Sequence, residues 1–127
     1  MAARILLIED DPDFRELLSF LLKGAGFALT TAVNGREGLE KAQQEQPDLI
    51  LTDLMLPALN GYEICSMLKQ DVRYQKIPVV IWSATKMQDK DAQLAKECGA
   101  DRFALKTLTS KELLGTVQEL LASSQHS

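Results

Sequence analysis

Asp53 ends the run Pro47-Asp48-Leu49-Ile50-Leu51-Thr52-Asp53, where a short apolar segment gives way to the loop Leu54-Met55-Leu56-Pro57. A short apolar run bounded by Pro and followed by Pro and Gly reads as a buried parallel strand, and ligands of open α/β sheets gather beyond the carboxyl ends of such strands. The arrangement occurs upstream as well, where Arg4-Ile5-Leu6-Leu7-Ile8 runs into Glu9-Asp10-Asp11. Ser83 closes a third apolar run and Lys106 follows a fourth. Parallel strands share one carboxyl edge, which would gather Glu9, Asp10, Asp53, Ser83 and Lys106 there. Three carboxylates at the mouth of an apolar core repel one another until a proton or a cation intervenes. Oxygen-only ligands with no nearby His or Cys favour Mg²⁺, held by one or two carboxylates, a backbone carbonyl and waters. A carboxylate nucleophile, Mg²⁺, a Lys counter-charge and a Ser hydroxyl together make a phosphoryl-accepting site, with Asp53 becoming an acyl phosphate. Lys106 is expected to pair first with Asp53 and then with the phosphate, and Ser83 to donate a hydrogen bond to it.

These groups need a scaffold that alternates strands with helices, and the chain alternates apolar runs of strand length with amphipathic segments of helix length five times. That pattern predicts βαβ units and a parallel sheet. Pro12 suits a first helical position after an Asp11 cap, with Phe14, Leu17, Leu18, Leu21 and Leu22 facing the core and Gly24 ending the helix. The second strand is predicted over Phe27 to Ala32. A polar helix from Asn34-Gly35 to about Gln46 follows, weakened by Gly35 and Gly38 and buried chiefly through Leu39 and Ala42. Asn60 and Glu63 have capping-box spacing ahead of Ile64, Met67 and Leu68, and that helix is expected to stop near Val72. Pro78 to Ser83 is the fourth strand, Met87 to Cys98 the fourth helix closed by Gly99, and Arg102 to Leu105 the fifth strand. Thr109 and Glu112 repeat the capping spacing before Leu113, Leu114, Val117, Leu120 and Leu121. The domain is expected over residues 3 to 122, with 123 to 127 a disordered tail.

With 127 residues the chain fits one domain with enough buried surface to need no staple. A net charge of −4 without a Lys/Arg stripe argues against direct nucleic-acid binding. Cys65 and Cys98 form no CxxC pair and read as small buried hydrophobes of a reduced protein. No run approaches a membrane span and Met1-Ala2-Ala3-Arg4 is too short for a signal peptide, so a cytoplasmic protein is expected. His126, the only histidine, lies in the tail and offers no phosphohistidine inside the fold. Trp82 should point opposite to Ser83, into the core beneath a helix.

Ile5-Leu6-Leu7-Ile8-Glu9-Asp10-Asp11, the run Pro47 to Pro57 around Asp53, Ser83-Ala84, and Gly99-Ala100-Asp101 with Lys106 resemble the receiver domain of two-component response regulators. The resemblance implies a flavodoxin-like (βα)₅ fold, doubly wound, with a five-stranded parallel sheet in order 2-1-3-4-5. It implies that Asp53 accepts a phosphoryl group from a histidine kinase or histidine phosphotransfer protein, with Glu9, Asp10, Asp53 and the Met55 backbone carbonyl at the Mg²⁺. It further implies that Ser83 and Phe103 are coupled switch residues and that a downstream effector protein reads the fourth helix, fifth strand and fifth helix. Met55 and Thr85 would influence the phosphoryl lifetime. The expected protein is a stand-alone switch rather than an enzyme, able to take phosphate from small donors and to lose it again, and a phosphorylation-dependent homodimer is left open. Thr107 departs from the family's usual Pro after the Lys. A cis bond at Thr107 would cost about 2.5 to 4 kcal/mol, so a trans bond and an altered loop are expected.

Two rival readings carry discriminating residues. A Mg²⁺-dependent phosphatase working through a phospho-aspartate generally has a second Asp two residues on as general acid, and that position is Met55. A receiver-like binding module acting without phosphorylation is motivated by Thr107 and Trp82 alone. A flavin phosphate after the first strand would be repelled by Glu9 and Asp10.

Overall fold

Strands β1 (Arg4–Ile8), β2 (Ala28–Ala32), β3 (Leu49–Asp53), β4 (Val79–Ser83) and β5 (Arg102–Leu105) alternate with helices α1 (Pro12–Gly24), α2 (Gly35–Glu45), α3 (Gly61–Lys69), α4 (Asp89–Cys98) and α5 (Ser110–Gln125). The structure, a computed structural model, describes residues 2–84, 89–106 and 109–125. Thr85, Thr107, His126 and the expected start of the fourth helix at Met87 lie outside the described residues. The strands form one parallel sheet in order β2-β1-β3-β4-β5.

The sheet explains the sequence pattern. β3 and β4 are buried along their whole length, and β1 is buried after Arg4. Strands covered on both faces carry nearly continuous apolar runs. Their side chains still alternate. Leu6, Ile8, Ile50 and Ile81 pack against Ala42 of α2, Ile64, Cys65 and Leu68 of α3, and Cys98 of α4. Ile5, Leu7, Leu49, Leu51, Val80 and Trp82 pack on the other face against Leu18 and Leu22 of α1 and Leu113, Val117 and Leu121 of α5.

Caps fix the helix starts. Asp11 accepts from the Asp13 amide ahead of Pro12, Asn34 from Glu37, and Asn60 and Glu63 complete a reciprocal capping box. Thr109 and Glu112 do the same before α5. Gly99 closes α4 with φ +85, a left-handed conformation that a side chain would strain.

Several boundaries and faces differ from expectation. Phe27 precedes β2 because its amide donates to the Leu22 carbonyl and so belongs to the turn ending α1. α3 stops at Lys69, short of Val72, where Gln70 caps it and the Asp71 amide turns back to Leu68. α5 runs to Gln125, beyond the expected edge at Ala122. Leu17 and Met67 are 52% and 51% exposed, because Leu18 with Leu22, and Ile64 with Cys65 and Leu68, already turn the inward faces away from them. The glycines of α2 also have a packing role: a Cβ on Gly38 would lie 2.4 Å from Ile8 Cδ1, so this helix sits unusually close to β1.

Gly61 is the close approach that matters for the site. A Cβ there would lie 2.8 Å from the Asp53 carbonyl oxygen and 3.0 Å from Leu54 Cα, both backbone atoms that yield little. Helix propensity alone favours alanine over glycine by about 1 kcal/mol. Gly115, exposed on α5 with nothing within 4 Å of such a Cβ, follows that rule. In urea unfolding, Gly115→Ala should therefore stabilise by about 0.5 to 1 kcal/mol. Gly61→Ala should destabilise by about 1 to 3 kcal/mol through overpacking. Equal signs for the two would refute the packing described at Gly61.

Candidate phosphoacceptor site

The strand order reverses between β1 and β3, the place in a doubly wound sheet where a crevice opens beyond the strand ends. Ile8 is paired with Thr52, so Glu9 and Asp53 emerge side by side. Glu9, Asp10 and Asp53 each bring one carboxylate oxygen within 4.8 Å of the others. Glu9 and Asp53 are buried while Asp10 is exposed at the rim. Asp11 turns away to cap α1, as the sequence indicated.

Lys106 follows β5, and its amide donates to the Ser83 carbonyl at 2.8 Å. Its Nζ lies 2.7 Å from Glu9 Oε1 and 3.2 Å from Asp53 Oδ2. Lys106 pairs with Asp53 as expected, and the structure adds a shorter contact to Glu9. The reason is placement: Glu9 is fully buried, and Oε2 is already held by the Asp11 amide, which leaves Oε1 facing the ammonium. Asp53 Oδ1 accepts from the Met55 amide at 3.3 Å. The Leu54 amide donates to the Trp82 carbonyl and the Gly61 amide to the Leu54 carbonyl, which fixes the loop after β3 from two sides. Ser83 is buried at the end of β4. Phe103, across the sheet from Ile81, is half-buried with its ring stacked on Tyr62 at 6.5 Å. Met55 is exposed in the loop.

Burial pushes the Glu9 carboxyl up to about 7, and the Asp53 charge adds to this against the opposing pull of Lys106 and the Asp11 amide. Burial alone would lower the Lys106 ammonium, but its hydrogen bond to Glu9 and the charges of Asp53 and Glu9 outweigh it and raise the group. The pocket thus holds more negative charge than one ammonium neutralises. An all-oxygen donor set with surplus negative charge fits a hard divalent cation such as Mg²⁺.

Three contributors escaped the sequence reading. Arg15 Nη1 donates to the Glu9 carbonyl at 2.9 Å and steadies the acidic turn from within α1. The rings of Phe14 and Trp82 lie beside Lys106 Nζ, at 4.6 and 5.7 Å to their centroids. Trp82 does pack into the core, but the expectation stopped there. The two cysteines are buried as expected, yet they also meet, with Cys65 Sγ donating to the Cys98 carbonyl at 3.4 Å. Burial and the neighbouring Cys98 push the Cys65 thiol up, away from reactive thiolate.

Comparison with known proteins decides the family. The family described as response regulator receiver domain matches residues 5–118. The chain belongs to that family. It is 37% identical over 121 residues to the DNA-binding response regulator MtrA of Mycolicibacterium smegmatis, covering 95% of this chain and 51% of the relative. It is 41% identical over 119 residues to the transcriptional regulator RpaA of Synechocystis, covering 93% of this chain and 48% of the relative. The chain therefore spans about half the length of these curated relatives. The signal receiver domain of a histidine kinase from Syntrophus aciditrophicus superposes with a TM-score of 0.91 at 32% identity, covering 99% of this chain and 95% of that one. The fold and the strand order are those of receiver domains, a family of phosphoacceptor signalling switches. Among the described residues no helix is long and apolar enough to cross a membrane.

The raised Glu9 carboxyl has a defined linkage. Its folded pKa lies above the ordinary 4.5, so its contribution to stability is complete below about 4.5 and is lost as pH rises through about 7. In Mg²⁺-free buffer, the stability difference between the wild-type chain and Glu9→Gln should shift against the wild type between pH 4.5 and 7, by on the order of 3 kcal/mol. A difference that stays flat across this window in urea unfolding contradicts the assignment.

Proposed function

We propose that this receiver domain accepts a phosphoryl group on Asp53 from a phosphohistidine of a histidine kinase or histidine phosphotransfer protein, and signals by protein–protein contact. The observation that carries the reading is the single ammonium of Lys106 lying between the buried carboxylates of Glu9 and Asp53 at the strand-order reversal. A structural ion pair needs one acid. A second acid sharing the same ammonium leaves a carboxylate ready to attack and a cation ready to follow the charge.

An Asp53 carboxylate oxygen forms the new bond to phosphorus as the phosphorus–nitrogen bond of the donor breaks. The imidazole leaves with the electron pair and takes up a proton. Negative charge on the transferring group is met by Lys106, which exchanges a carboxylate for a phosphoryl oxygen, and by a hydrogen bond from the Ser83 hydroxyl. Glu9, Asp10, Asp53 and the Met55 carbonyl are the proposed ligands of Mg²⁺, which when bound neutralises phosphoryl oxygens and orients the donor. Phe103 turns inward as Ser83 moves, and its stacking on Tyr62 is the contact given up. An effector protein then reads α4, β5 and α5. The relatives' DNA-binding activity accompanies chains twice this length, and net charge −4 supports a protein rather than a nucleic-acid partner for this segment.

Position 55 separates this reading from a hydrolase. A phosphatase of this chemistry has an acid there to protonate the leaving group, and an exposed Met does not. With acetyl phosphate and Mg²⁺, the intact mass should rise by one phosphoryl group, and Asp53→Ala or removal of Mg²⁺ by chelation should abolish the increase. Lys106→Ala should slow it on the order of 100-fold, the scale for losing one preorganised electrostatic contact. Undiminished uptake by Asp53→Ala sinks the proposal.

A further inference from the structure

We propose that Phe14 and Trp82 form an aromatic bracket that positions the Lys106 ammonium, making Trp82 a positioning residue for phosphoryl transfer. The inference rests on the reading of Asp53 as phosphoacceptor for its consequence, but its geometry stands apart from that reading. A lysine carries a point charge on a flexible stem and needs an external constraint to stay in one place. Between Glu9 and Asp53 the ammonium has two attractive partners at unequal distances, 2.7 and 3.2 Å. Both ring centroids lie within the ~6 Å over which a cation is drawn to an aromatic face. The lysine side chain is only 13% exposed, so the attraction is little screened by water.

The two rings constrain each other. They meet at 5.1 Å with an interplanar angle of 67°, the edge-to-face arrangement aromatic pairs prefer. Phe14 stands in the first turn of α1, just after the acidic turn, so the acids and one ring of the bracket are set by the same helix start. Trp82 lies in β4 in register with Asp53, and its carbonyl holds the Leu54 amide. One residue thereby touches the nucleophile's loop through its backbone and the counter-charge through its ring.

Trp82 is 2% exposed, so its ring meets the ammonium from within the core, where water weakens the attraction least.

The test uses the full chain with Trp82→Leu, Trp82→Phe and Phe14→Leu. In Mg²⁺-free, unphosphorylated wild type, the Lys106 Hε resonances should be displaced upfield by ring currents. The displacement should collapse in Trp82→Leu and in Phe14→Leu, and return in large part in Trp82→Phe. At saturating Mg²⁺, the phosphorylation rate with acetyl phosphate should fall about 3- to 30-fold in Trp82→Leu, the range a desolvated cation–π contact spans. Trp82→Phe should recover most of it, although phenylalanine restores only part of the volume lost from tryptophan to leucine, so a volumetric role would give a small recovery. Hε resonances at exposed-lysine positions in the wild type, or equal rates in the Leu and Phe variants, overturn the bracket. The resonance arm involves no phosphorylation, so failure of Asp53 to accept phosphate leaves it decisive.

Discussion

One ammonium shared by two buried carboxylates is the interaction on which the rest of this domain turns. Glu9 and Asp53 are brought together because β1 and β3 are neighbours, and Lys106 reaches them from the end of β5, two strands further along the sheet. Removing one partner from a buried charge cluster leaves the others uncompensated, which is far more costly than the net worth of the pair. The site and the sheet edge are therefore coupled: whatever changes the charge at Asp53 changes where Lys106 is best placed, and Lys106 is joined by its backbone to Ser83.

That coupling gives a physical route from chemistry to surface. Ser83 and Phe103 lie on the face of the sheet covered by α3 and α4, while Phe14 and Trp82 hold Lys106 from the face covered by α1 and α5. The ammonium thus has a fixed side and a responsive side. A phosphoryl group on Asp53 would draw on the responsive side, where Ser83 is buried at the end of β4 and Phe103 is half-buried, packed at the core's edge and stacked on Tyr62. Gly61 permits this crowding by letting the start of α3 touch the Asp53 backbone.

Much of this was legible in the sequence because buried parallel strands leave uninterrupted apolar runs, and polar residues that end such runs have few packing reasons to be there. The strand order followed from the resemblance, and Glu9, Asp10, Asp53, Ser83 and Lys106 do converge at one edge. What the sequence concealed were contacts across elements. Nothing in the spacing of residue 14, 82 and 106 signals that two rings flank an ammonium, nor that Cys65 meets Cys98. Helical periodicity overcounted the inward face of α1, where Leu17 is left at the edge of a five-residue arc, and in α3 it placed Met67 inward where Cys65 takes that place beside Ile64 and Leu68. Propensity also misread α2: Gly38 looked like a weakness, and in the fold it is the space into which Ile8 fits.

The most direct measurement is a crystal structure of the chain with Mg²⁺ and beryllofluoride, a tetrahedral stand-in for the phosphoryl group. The account predicts beryllium bonded to an Asp53 oxygen, Lys106 Nζ moved from its carboxylate partners to a fluorine, and Ser83 Oγ within hydrogen-bond distance of another. A beryllofluoride seated elsewhere, or Lys106 still held against Glu9 with the adduct in place, would contradict it.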